Sequence, residues 1–149
     1  MVGGHSAKAS HFGEVAYAGG SFSEAGDAQG SFYVLRGTTY NNTPTELYLD
    51  GGSQRLMVSD RTMTFDILLA ARTAVPWSAG WTAQGVIEGW GAGAVGFVGA
   101  PVVTPLGDDI GGLAFNVLAE NGALVLKVTG PSDTTVRWVA TVRTSEVGW

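Results

Sequence analysis

The 149-residue chain has no cysteine, which removes disulfides and thiolate metal sites from the means by which it could hold a fold or do chemistry. Charge is also scarce. Asp, Glu, Lys and Arg make up 14 % of the residues, against roughly 25 % in ordinary soluble domains. The eight Lys and Arg residues are scattered from Lys8 to Arg143 in a chain of net charge −5. Clustered cations able to neutralise a phosphate backbone are therefore missing, and nucleic acid is not an expected partner. His5 and His11 are the only imidazoles, and no HExxH or comparable ligand spacing surrounds them. No stretch of about 18 consecutive apolar residues occurs, so no transmembrane helix and no membrane insertion are expected. Met1-Val2-Gly3-Gly4-His5 has neither the basic start nor the apolar run of a secretory signal.

What is abundant is glycine, 23 residues of 149. The length fits one domain with a real core, but 21 charged side chains cover the surface of such a domain poorly. That deficit points to burial against other copies or other proteins. Residues 1–30 are dominated by small residues with isolated larger ones. Their main apolar groups are Val2, Phe12, Val15, Tyr17 and Phe22. Each could contribute about 1.5–3 kcal/mol when buried, while ordering each residue costs about 1–2 kcal/mol. Five anchors do not offset thirty ordered residues, so the expectation is an extended glycine-rich arm over 1–30, loose in an isolated monomer and held by neighbouring chains.

From residue 31 onward the pattern has period two, the mark of half-buried strands. Phe32 and Val34 share one face; Met63, Phe65, Ile67 and Leu69 share another, as do Leu113, Phe115 and Val117. Leu124, Leu126 and Val128 follow an Asn121-Gly122 hairpin signal, and Val136, Trp138, Ala140 and Val142 close the series. Asp50-Gly51-Gly52 supplies a further turn. Ile67–Arg72 could pass for a helix, but it continues an alternating run without an N-cap and reads as strand. Seven or eight such runs predict an all-β fold, an antiparallel β-sandwich or jelly-roll-like knob over 31–149, preceded by the 1–30 arm.

Candidate chemistry is sparse. Gly91-Ala92-Gly93-Ala94-Val95-Gly96 has the spacing of a dinucleotide-binding loop, but Phe97-Val98-Gly99-Ala100-Pro101 stands where the required helix would start. Asp108-Asp109 with Glu88 could form paired carboxylates for glycoside hydrolysis, against the plainer reading of a solvated acidic loop. In a trimer, one histidine per chain could meet on the axis and hold a metal or an anion, whereas the missing motif favours a packed or capping histidine. A nucleophile–His–acid triad would have to draw its base from the glycine-rich arm, a poor scaffold for it. Trp77, Trp81 and Trp90, with Tyr40 and Tyr48, sit near turns or strand ends, where an aromatic face could stack on sugar. Packing is the commoner role of such residues. No catalytic residue, cofactor site or metal site is expected, and the chain is read as non-enzymatic.

Two stretches resemble known proteins. Ala9-Ser10-His11-Phe12-Gly13-Glu14 and the following Ala16-Tyr17-Ala18-Gly19-Gly20-Ser21-Phe22 resemble the end of the Ser-His-Ala-Glu-Gly repeats of trimeric adhesin heads and phage fibres, with Phe12-Gly13-Glu14 in place of Ala-Glu-Gly. The remainder resembles the β-rich knob that follows such repeats in phage tail-fibre proteins. It does so through Ala25-Gly26-Asp27-Ala28-Gln29, Tyr33-Val34-Leu35-Arg36-Gly37-Thr38-Thr39, Thr43–Gly51, Thr64-Phe65-Asp66-Ile67 and Val136–Val142. The resemblance implies a virion structural domain that trimerises, assembled in the bacterial host cytoplasm, and it carries over no catalytic residue. The expected partners are two further copies of the chain, other virion proteins of tail or capsid, and host surface glycan. His11, Phe12, Tyr17 and Phe22 are the expected assembly contacts; Trp77, Trp81 and Trp90 are the glycan-stacking candidates. The chain is then either part of a fibre or a free-standing protein that reuses the knob. A capsid decoration (cement) protein and a carbohydrate-binding module on the virion are the alternatives.

Overall fold

The computed structural model describes all 149 residues, and no helix is among them. Twelve strands run β1 (Val2–His5), β2 (Val15–Gly19), β3 (Ala28–Thr39), β4 (Thr45–Glu46), β5 (Leu56–Met57), β6 (Arg61–Thr73), β7 (Ser78–Trp90), β8 (Ala94–Phe97), β9 (Val102–Asp108), β10 (Ala114–Glu120), β11 (Ala123–Thr129) and β12 (Val136–Gly148). The larger sheet has eight strands in the order β1-β2-β3-β12-β6-β7-β8, with β9 also on β7. The smaller has four, β10-β11-β4, with β5 also on β11. The all-β expectation and the two-layer, sandwich-like arrangement are both met.

Alternation builds the core. Met63, Phe65, Ile67 and Leu69 of β6 and Val136, Trp138, Ala140 and Val142 of β12 all point inward and are buried, because β6 and β12 pair antiparallel along their whole length. Leu47, Leu49, Leu56 and Val58, with Phe115, Val117, Leu124, Leu126 and Val128, meet them in one continuous cluster. Burial of these side chains is the main term holding the sheets together. The Ile67–Arg72 stretch is strand, as its alternation predicts. Asn121 and Gly122 have φ of 53° and 73°, the left-handed pair that a tight hairpin between β10 and β11 requires. In β3 the shared face of Phe32 and Val34 turns out to be the outer one: Tyr33 and Leu35 are the buried residues.

Residues 1–30 are not an extended arm. β1 lies parallel to β2, and β2 pairs antiparallel with β3, so the segment extends the large sheet at its edge. The Met1 ammonium donates to the Glu14 carbonyl at 2.6 Å, and the Gly26 and Gly148 N–H groups donate to the Ser6 and Asp27 carbonyls. Gly4 has φ 78°, and a Cβ there would fall 2.0 Å from the Ala18 carbonyl oxygen. The close parallel pairing of β1 thus needs glycine at this position.

The small sheet covers only the inner face of the large one, leaving the outer face bare. Register places Val15 beside Phe32, and Val34, Thr141 and Leu68 in a row across β3, β12 and β6. Val15, Tyr17, Val34 and Leu68 are exposed. Further along the same strands the outward residues become Arg36, Arg137 and Arg72.

Candidate functional site

The most organised polar constellation lies where the N-terminal segment meets β3 and β12. Glu14 follows the Ser10–Gly13 turn, and its Oε2 accepts from the Ser10 N–H (2.7 Å), the His11 N–H (3.0 Å) and His11 Nδ1 (3.1 Å). Its Oε1 accepts from the Ser31 hydroxyl at 2.8 Å and from Gln29 Nε2 at 3.2 Å. Glu146 occupies a core-facing position of β12. Its Oε1 accepts from Thr144 Oγ1 (2.6 Å) and the Tyr33 hydroxyl (2.8 Å), and its Oε2 from an Arg61 guanidinium nitrogen (2.6 Å). The Tyr33 hydroxyl also lies 3.2 Å from Glu14 Oε1, so one phenol sits between two carboxylates.

Electrostatics follow from this donor set. Burial alone would raise the Glu14 carboxyl, but the bonds from His11, Ser31 and the Ser10 and His11 backbone hold it down to about 2. Burial, reinforced by the neighbouring Glu146 charge, pushes the Tyr33 phenol well above its usual range. Two carboxylates, a phenol and an imidazole are the parts of an acid–base site, yet Glu14, Tyr33 and Glu146 are 2 %, 0 % and 5 % exposed, which closes the cluster to a substrate. No buried side-chain polar atom in the chain lacks a partner. The cluster is a clamp. It ties residues 10–14 to β3, β6 and β12 and, through His11 Nε2 and the Met57 carbonyl (3.1 Å), to β5.

His11 is therefore the capping and packing histidine, edge-on to Tyr33. Both of its ring nitrogens are engaged within the chain, the packed role that the missing ligand motif favours. Phe12, Tyr17 and Phe22 are exposed and free to make contacts. Trp81 is not a sugar platform: it is buried, with its ring 6.0 Å from Trp138 and 6.4 Å from Phe115. Trp77 and Trp90 are about half exposed but stand at opposite ends of β7, roughly 40 Å apart at strand rise, and share no platform.

The carboxylates singled out from the sequence do not converge. Asp108 pairs in register with Ala79, whereas Glu88 lies beside Gly96, about 30 Å further along β7. Asp108 Oδ1 caps its own turn, accepting from the Ile110 and Gly111 N–H groups at 2.9 Å. Gly91–Gly96 forms the β7–β8 turn and the start of β8, with strand where a phosphate-binding loop needs a helix. The Glu14–Glu146 clamp went unread in the sequence. Its one signal was Glu146, a charge at a core-facing position of an otherwise apolar alternating run.

No protein-family model and no curated protein matches the chain. Among solved structures it is similar to the crystal structure of the Acinetobacter phage vB_ApiP_P1 tailspike protein, with TM-score 0.40 and 12 % identity, over 79 % of this chain and 22 % of that one.

Proposed function

We propose that the chain is a non-enzymatic structural module of a bacteriophage particle, a trimeric knob of tail-fibre type that presents an attachment surface. The observation that carries this reading is the bare outer face of the large sheet. Val15, Tyr17, Val34 and Leu68 lie exposed there on neighbouring strands, in a chain with few charges to cover them. Contiguous apolar surface of this kind marks an association site, and its occupant is two further copies of the same chain. The tail-fibre-like motifs from Ala25 to Val142 support the virion assignment.

The test is adsorption. Purified protein should bind host cells and compete with phage for them, and tagged protein should be found at the tail in micrographs of the particle. Binding to expanded capsids without binding to cells would overturn the attachment reading in favour of capsid decoration. Release of reducing ends from host polysaccharide would overturn the non-enzymatic part.

A further inference from the structure

We propose that the arginine-flanked cleft at the far end of the outer face binds the carboxylate of an acidic saccharide. The inference rests on the attachment reading above and gives it a ligand chemistry.

The cleft has a volume of about 660 Å³, with Ala70, Arg72, Ser78, Thr135, Arg137 and Val139 among its lining residues and no acidic residue in the lining. Arg72 and Arg137 are register partners on β6 and β12. Like charges placed opposite each other across an antiparallel pair are destabilising. The chain's thirteen acidic residues leave this pair alone: its ion pairs are His11–Glu14, Arg55–Glu46, Arg61–Glu146 and Lys127–Glu120. Asp109, whose carboxylate accepts from the Ser78 N–H, borders the cleft without pairing with either arginine. Two unpaired guanidinium groups side by side suit a carboxylate, which each can take in bidentate fashion. A bound anion would also relieve their mutual repulsion.

The surroundings point to a sugar rather than to a bare anion. The Ser78 and Thr135 hydroxyls offer hydrogen bonds to a polyol. The loop over 74–77, which closes this end of β6 and β7, carries the half-exposed Trp77 directly before Ser78 of the lining, whereas Trp90 lines a separate recess that contains Asp60 and Glu88 and would repel an acidic sugar. A few placed polar groups next to an aromatic is how a small-ligand site gains orientation. A phosphate backbone fits less well, since the other cations are spread over the chain and the net charge is −5.

The experiment titrates the full-length protein with oligogalacturonate and oligosialate, with dextran of matched length as the neutral control and free galacturonate as the monomeric one. Carboxylated oligosaccharides should bind and dextran should not. Arg72→Ala and Arg137→Ala should each weaken binding by about tenfold or more, with partial recovery for the lysine variants and a further loss for Trp77→Ala. Free galacturonate binding as tightly as the oligomers would reduce the site to a simple anion site and overturn the saccharide assignment. Equal binding of dextran, absent binding of both acidic oligomers, or unchanged affinity in both arginine variants would overturn the cleft altogether. A drop in assembly mass in those variants with saccharide affinity intact would show that the arginines hold a second copy instead. Host-cell adsorption of the same variants separates the two claims: adsorption that survives keeps the attachment reading while the cleft falls, and a wild type that does not adsorb removes the attachment reading itself.

Discussion

Replacing Glu14 by Gln tests whether the N-terminal segment is locked to the sheet by charge. Gln keeps the shape, but it exchanges one acceptor oxygen for a donor facing other donors and removes the negative charge that His11, Ser10 and Ser31 address. Glu14 titrates at about 2 in the fold against a usual 4.5, a difference worth about 3 kcal/mol of stability at neutral pH. Because the folded value lies below the unfolded one, this contribution is fully present above about 4.5 and is lost as pH falls through about 2. Urea unfolding at fixed protein concentration, since assembly shifts apparent stability, should place Glu14→Gln about 3 kcal/mol below wild type at pH 7. The gap should narrow progressively between pH 4.5 and 2. Hydrogen exchange should show faster opening of β1 and β2 in the variant. A gap below about 1 kcal/mol at pH 7, or one that does not change with pH, would refute the reasoning.

Trp138→Ala removes the largest fully buried side chain and its bond to Thr39 Oγ1 at 2.9 Å; a loss of about 3–5 kcal/mol in urea is expected, and a loss under about 1 kcal/mol would contradict its place in the core. Trp90→Ala should leave stability within about 0.5 kcal/mol, because the ring is half exposed; thermal melts check this. Deleting residues 1–21 strips β1, β2 and Glu14 from the sheet edge. It should cost more stability than Glu14→Gln alone, and a truncated chain with an unchanged unfolding midpoint would restore the picture of a dispensable arm.

The core was legible where one face of a strand meets the small sheet and the other meets solvent. β6 and β12 show this: alternation over thirteen residues in each names the buried set. In β3 the same rule pairs Phe32 with Val34 but does not say which face is buried, because Tyr33 and Leu35 are as apolar; a strand apolar on both sides carries no directional signal. β9 escaped notice since all seven of its residues are exposed, so it has no buried face to write a pattern. The N-terminal segment was misjudged by an account that counted apolar anchors. Its order comes from hydrogen bonds between residues far apart in sequence, such as Ser31 with Glu14 and Gln29 with Glu146, which no local spacing displays. Of the site candidates, Trp81 was lost to the core. Arg72 and Arg137 became neighbours only through the pairing of β6 with β12.

The central claim is that the outer face is an association surface, and the mass of the protein in solution tests it most directly. Sedimentation equilibrium at micromolar concentration should give three times the 15.4 kDa chain mass for wild type. Leu68→Asp and Val34→Asp should shift it to the single-chain mass with strand content by circular dichroism unchanged. A wild type that sediments as one chain, or a trimer that survives both substitutions, would contradict the account.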